Sequence, residues 1–327
     1  MEIGSFIELQ MPQGMEYYTD DKFGGMSVAR LNSGRAAIYH AFIVSGCSAI
    51  WLPYYQCETV REFLGRKHVS IKYYYINSSF EPVDLQPAEN ECVLLVNYFG
   101  IMSHTRMKRL AGKYHHVIID NAQGFFAEPM EGCLNVYSAR KFVGVPDGAY
   151  VIGKGADVGL ANYEQGYSSD TALFMLQRIE YGCEGKAYIS RTENENRIDT
   201  EDCKRMSGLT RYILNGTDYQ MIQEKRRENF RTASLFFGEI NRIAPREYYD
   251  ETCVPMVYPL VAENGKLLEK LVNAKHFQGR WWHYIVEELP PECFEVWLSK
   301  YMIPITIDQR YGEEELQYLS NIIKGRK

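Results

Sequence analysis

From about residue 33 to residue 153, short and continuous apolar runs alternate with stretches that are apolar on one side only. "SGRAAIYHAFIV" reads as a helix opened by Ser33, whose hydroxyl can cap free backbone amides. "AIWLP", "CVLLV", "HVIID" and "LNVYS" read as buried strands, and "GAYVIG" as another. "SIKYYYI" is a further strand by its β-branched and aromatic content, while "CETVREFLGRK" and "HTRMKRLAGKYH" are amphipathic helices. Strands that are apolar throughout need cover on both faces. The pattern therefore predicts an α/β fold with a mainly parallel sheet between helices.

The pattern then changes. From about 170 to 243 it is helical: "TALFMLQRIEYG", "GLTRYILNG" and a long "YQMIQEKRRENFRTASLFFGEINRI". From Val254 a strand, "VPMVYPLVAE", is followed by helices "KLLEKLVNAKH" and "EEELQYLSNIIKG". We read residues 1–240 as a large unit, with 1–30 as an N-terminal segment, and 241–327 as a smaller α+β unit.

Composition narrows the class. A net charge of −6 gives no basic face for nucleic acid. The first residues lack a basic start followed by an apolar core, so no secretory signal is expected, and no apolar run is long enough to cross a bilayer. Eight cysteines without any CxxC pair suit a reduced, cytoplasmic setting and neither a disulfide framework nor a zinc site; no metal is expected.

Candidate chemistry gathers where strands run out, because open parallel sheets bind ligands beyond the carboxyl ends of their strands. "VIIDNAQG" ends a strand on Asp120, with Gln123 three residues on, and "VYSARK" ends another on Ser138 and Lys141. "NSGRAA" puts Gly34 at the mouth of the first helix, where unpaired amides suit a phosphate. Singly, each has an ordinary explanation: a capped turn, a satisfied backbone group, a tight corner. Together they match one cofactor, pyridoxal 5'-phosphate. That cofactor needs a lysine amine, a carboxylate beside its ring nitrogen and an anion site for its phosphate. The lysine is expected to be partly desolvated, so that a nucleophilic free amine is available.

Over roughly Leu31 to Ile323 the sequence resembles the DegT/DnrJ/EryC1/StrS family of pyridoxal-phosphate enzymes, best known as sugar aminotransferases. The resemblance implies the type I aminotransferase fold, with a mainly parallel sheet of about seven strands and a smaller C-terminal unit. "IIDNAQG" is similar to the family's Asp-x-x-Gln segment, which makes Asp120 the partner of the ring nitrogen and Gln123 a neighbour of the ring. "YSARKFVGVPDGAY" resembles its serine-then-lysine strand followed by an acidic-Gly-small turn, which implies Lys141 as the Schiff-base lysine and Ser138 as a phosphate ligand. "NSGRAA" is similar to the phosphate loop, bringing in Gly34 and Arg35, and "LPYYQC" to the segment beneath the ring, bringing in Cys57. "KRMSGLTRYILNG" and "EKRRENF" resemble the family's Arg-Met helix and the arginine-rich helix after it.

Departures fall near the substrate side. The serine-to-lysine spacing is about two residues shorter than usual; Arg35 stands where Thr or Ser is common, and its guanidinium could instead pair with an anionic substrate group. Cys57 replaces a ring-stacking aromatic, a role that Tyr98 could take instead. Cys203 stands where an asparagine usually reaches the neighbouring subunit's site, and Asn97 replaces a frequent histidine.

The resemblance implies a homodimeric aminotransferase with shared active sites. It would move an amino group, from glutamate, to a keto-sugar, often nucleotide-linked, in polysaccharide or secondary-metabolite synthesis. Two alternatives stand beside it. One is a sugar dehydratase of the same fold, whose members typically carry histidine where Lys141 stands. The other is a non-catalytic cofactor-binding protein, suggested by Cys57 and Cys203. Elsewhere, His115 and His116 point to opposite faces if extended, and "EKRRENFR" reads as a solvated face with intrahelical ion pairs. Trp281 and Trp282 read as anchors of the small unit rather than as ligand-stacking rings. "ITIDQRY" resembles the family's closing segment, which would bring Arg310 to the substrate, while Arg310 otherwise reads as a capping or salt-bridged residue before the last helix.

Overall fold

Apolar residues on both sides of a strand require two covering layers, and the computed structural model, which describes residues 5–325, supplies them. The outer ends of the two expected units, 1–4 and 326–327, lie outside the described residues. The chain runs β1 (Ser27–Leu31), α1 (Gly34–Ser45), β2 (Ala49–Pro53), α2 (Glu58–Arg66), β3 (Ser70–Tyr74) and β4 (Glu91–Val96). It continues through α3 (His104–Ala111), β5 (His116–Asn121), β6 (Leu134–Ser138), β7 (Ala149–Gly153) and the short β8 (Glu164–Gln165). Then come α4 (Leu173–Tyr181), α5 (Lys186–Thr200), the short β9 (Lys204–Arg205), α6 (Gly208–Asn215) and α7 (Tyr219–Phe237). The last elements are β10 (Val257–Val261), α8 (Leu267–Asn273), α9 (Tyr284–Glu288), α10 (Phe294–Tyr301), β11 (Met302–Thr306) and α11 (Glu313–Lys324).

The sheet order is β3-β2-β4-β5-β6-β7-β1-β9-β8. Strands β3, β2, β4, β5 and β6 are mutually parallel; β7 runs antiparallel to β6, and β1, antiparallel to β7, returns to the direction of the first five. Seven strands form its body; the two-residue β9 and β8 extend one edge. β1 starts inside the stretch read as the N-terminal segment.

Alternation along β4 shows why both faces bury. Cys92 and Leu94 join Ala37, Ile38 and Ala41 of α1 on one side. Val93 and Leu95 join Phe230 and Phe237 of α7 on the other, together with Leu260 and Ile303 of the antiparallel β10–β11 ribbon. The C-terminal ribbon thus shares one apolar core with a face of the main sheet. No helix among the described residues is long and apolar enough to cross a membrane.

Candidate active site

The site begins where β4, β5 and β6 end side by side. Asp120 is the penultimate residue of β5 and pairs in register with Val96 on β4 and Val136 on β6. Its carboxylate is buried, accepting from the Ala122 amide at 2.9 Å and from Gln56 Nε2 at 3.4 Å. Burial pushes its carboxyl above the ordinary aspartate range, while the nearby Lys141 ammonium, the Ala122 amide and Gln56 pull it back. The adjacent turns interlock. Phe99 sits in the left-handed region at φ 58° and donates its amide to Gln123 Oε1 at 2.8 Å. Gly100 follows at φ 72°, where a Cβ would stand 2.1 Å from the Gln123 carbonyl oxygen, so no side chain fits there.

Next to Asp120, β6 ends on Ser138 and a single tight turn, Ala139–Lys141. Ser138 is buried beside the start of α1: a Cβ added to Gly34 would lie 3.9 Å from the Ser138 Cβ. Ser33 caps α1 by accepting from the Ala36 amide at 3.3 Å. The amides of Gly34 and Arg35 come ahead of the first intrahelical bond and remain available. Lys141 itself is exposed, so the desolvation expected of it is not supplied by packing within the chain.

The Pro146-Asp147-Gly148 sequence after the lysine is explained by what lies beneath it. Asp147 is buried and accepts from the Ser207 amide at 3.0 Å, from Ser207 Oγ at 2.8 Å and from Thr210 Oγ1. Gly148 at φ 116° closes against Thr210 and donates to the Asn32 carbonyl at 2.8 Å. The turn is thereby tied to α6 and to the entry of α1.

The remaining residues fall around this centre. Gln123 uses its amide oxygen on Phe99, so it braces the strand end. Arg35 turns its guanidinium to Asp199 of α5, and Arg140 does the same to Glu195. Cys57 is the residue before α2, its thiol 3.1 Å from Thr59 Oγ1, next to the Gln56 that reaches Asp120. Tyr98 is a core residue, with its hydroxyl on the Tyr55 carbonyl at 2.9 Å. Cys203 is buried against Ala36 and Phe63 of its own chain, and burial pushes its thiol up to about 12. Asn97 braces Asn121 at 2.9 Å and the Met102 amide at 3.2 Å.

The reading of "EKRRENFR" as a solvated face needs correction. Lys225 and Glu228 do pair at 2.9 Å, but Arg226 is buried and donates into the lysine turn. Arg310 is salt-bridged to Asp308, and Trp281 stacks on Phe99 while Trp282 meets Tyr55 edge-on. His115 and His116 are exposed at the opposite end of β5 from Asp120. No group of three or more metal-ligating side chains occurs among the described residues. Sequence reasoning missed Gln56, Asp147, Arg226 and Gln309 as parts of the site. Only Gln56 and Asp147 had a local signal, through their places in "LPYYQC" and the acidic-Gly turn.

No protein-family model matches the chain, and comparison with curated protein sequences gives no match. Solved structures do match. A DegT/DnrJ/EryC1/StrS aminotransferase from Brucella abortus is 12% identical over 91% of this chain and 85% of its own, with a TM-score of 0.56. A sugar aminotransferase from Micromonospora echinospora is 13% identical over 97% and 100%, at 0.58. The GDP-4-keto-6-deoxy-D-mannose-3-dehydratase of E. coli, solved with bound hydrated PLP, is 12% identical over 92% and 88%, at 0.60. At these identities the likeness speaks for architecture alone: the chain has the fold of the DegT/DnrJ/EryC1/StrS aminotransferase structures.

Proposed function

We propose that the chain is a pyridoxal-phosphate enzyme that transfers an amino group, from glutamate, to a keto-sugar, nucleotide-linked, in polysaccharide or secondary-metabolite synthesis in the cytoplasm. One observation carries this reading. A buried carboxylate, an exposed lysine within reach of its charge, and a serine against a helix start stand together at adjacent strand ends. The donor set fits the cofactor. A carboxyl that burial holds above its usual range lacks a full counter-charge, and a protonated ring nitrogen provides one.

When bound, the cofactor supplies an aldehyde that takes up amines and a protonated ring that accepts electron density. Asp120 would hold the ring proton at its carboxylate. The Gly34 and Arg35 amides with Ser138 Oγ would bind the phosphate, helped by the positive end of α1. Lys141 Nζ would bind the aldehyde carbon and, once displaced by the donor amine, carry a proton as a general base. Gln123 and Cys57 would border the ring as the resemblance implies.

The test is the absorbance spectrum of purified protein with added cofactor. A borohydride-reducible chromophore is expected, and its full persistence in Lys141→Ala would refute the assignment. Amino transfer should fall by about 10^4-fold in that variant. A panel of keto-sugars with glutamate then separates the alternatives. Loss of a hydroxyl without amine transfer points to the dehydratase that one similar structure represents. An intact adduct with no turnover points to a binding role.

We also read the chain as two units, 1–240 and 241–327, and as a homodimer. The α4–α5 hairpin supports the second point: Ile179 is 80% exposed and Tyr181, Tyr188 and Ile189 more than half.

A further inference from the structure

We propose that Arg226 and Gln309 are positioning residues that fix the turn carrying Lys141, an inference that rests on reading Lys141 as the cofactor's lysine. After this turn the Phe142 and Val143 amides both converge on the Ala139 carbonyl at 2.9 Å. Further along the turn, the carbonyls of Lys141 and Phe142 accept no backbone amide among the described residues. Gln309 Nε2 donates to the Phe142 oxygen at 2.8 Å, and Arg226 Nη2 to the Lys141 oxygen at 3.4 Å. Arg226 Nε donates in turn to Gln309 Oε1 at 3.1 Å, so both ends of the Gln309 amide are used.

The chemistry of this arrangement is unusual for a merely structural contact. Arg226 is 2% exposed, yet its other partners are the Pro255 and Met256 carbonyls at 3.3 and 2.9 Å and the Phe142 ring face at 4.4 Å. Among the described residues no carboxylate hydrogen-bonds to it; Asp308 lies near enough to attract it but hydrogen-bonds to Arg310. A buried cation held by carbonyls is costly, and an apolar side chain would fill this position on α7 more cheaply. Burial lowers the guanidinium to about 10, opposed by the attraction of nearby Asp308 and aided by repulsion from Arg310. What the cation provides is a grip on backbone. Ala139 and Phe142 pack the turn on either side, but Lys141's own side chain is exposed, so its backbone is fixed through its neighbours and through this grip on its carbonyl. The grip joins three distant segments: the lysine turn, α7, and the strand exit after β11.

The test uses the full chain, first without cofactor and then with pyridoxal phosphate added. Two variants keep it interpretable: Gln309→Glu retains the acceptor for Arg226, and Gln309→Met removes both bonds. Asn241→Ala is the comparison, since it deletes a polar anchor under β10, where Asn241 binds Pro259 and Val261, away from the turn. Hydrogen exchange at the Phe142 and Val143 amides should rise about tenfold in both Gln309 variants, and formation of the reducible adduct should slow about tenfold. Asn241→Ala should change neither. Unchanged exchange and adduct rates in the Gln309 variants overturn the inference, as does equal slowing in Asn241→Ala. A wild type that forms no adduct at all sinks the functional reading, and the positioning role with it. A wild type that forms the adduct, with Gln309 variants that match it, sinks the positioning role alone.

Discussion

Two walls flank the lysine turn, and they are held by different physics. On one side, the Asp147–Gly148 turn and the start of α6 converge on a single buried carboxylate that accepts three donors. On the other, the α4–α5 hairpin meets the site mainly through ion pairs, Arg35 with Asp199 and Arg140 with Glu195. One buried contact joins the two walls, from Asn194 Nδ2 to the Pro146 carbonyl at 3.0 Å. No residue of α4 is buried. The first wall is complete within one chain, because each polar group there has its partner away from water. The second leaves apolar surface facing outward, and its partly exposed ion pairs are open to screening by salt.

The contrast is broken most directly at the inner wall. Asp147→Ala strands the Ser207 amide, takes the carboxylate from the Thr210 hydroxyl and leaves the Ser207 hydroxyl only Ser168, at 2.6 Å, to donate to, which should destabilise the protein by about 3 kcal/mol. Urea denaturation measures this, and a loss below about 1 kcal/mol would mean that water replaces the carboxylate and that the wall is not self-sufficient. The outer wall is sharpened by Ile179→Asp, which places a charge on the exposed apolar face. If that face joins two copies, self-association should weaken by about tenfold or more in sedimentation, with little change in the unfolding midpoint. A wild type that stays monomeric at every concentration removes the proposed dimer.

How far the sequence reveals all this depends on which interactions are local. β2, β4, β5 and β6 are legible as continuous apolar runs, because burial on both faces leaves no other composition open to them. β1 is not, since Arg30 sits inside it, made compatible with burial by ion pairs to Glu16 and Asp20. β11 hides behind Pro304, which pairs in register with Pro259 in a ribbon of two edge strands. At the site, Asp120, Ser138 and Lys141 can be found because polar residues at the ends of apolar strands stand out. Arg226 and Gln309 cannot, lying 85 and 167 positions from the backbone they hold. Within "EKRRENFR" the inward Arg226 and Asn229 are polar like their exposed neighbours, so the run looks solvated. Gln56 reaches Asp120 across 64 positions; its place in "LPYYQC" marks the residue, but no local pattern predicts the contact.

The smallest expected effect tests what kind of group Asp120 is. Its folded-state carboxyl lies above the unfolded value because burial outweighs the pull of Lys141, the Ala122 amide and Gln56. The native state therefore binds the proton more tightly. This contribution to stability is fully present below the unfolded value and is lost as the pH rises through the folded one. Above that range the charge on the carboxylate is a net cost to the cofactor-free protein. Asp120→Asn removes the charge, keeps an oxygen for the Ala122 amide, and lets Gln56 turn its own oxygen toward the new donor. The variant should melt about 2 °C higher at neutral pH without cofactor, with the gap closing as the pH falls. Added cofactor should reverse the order, because only the carboxylate can stabilise a protonated ring. A variant that melts lower at neutral pH without cofactor would mean that Lys141, rather than burial, governs this carboxylate. The pair would then be an internal ion pair that a ligand has to break.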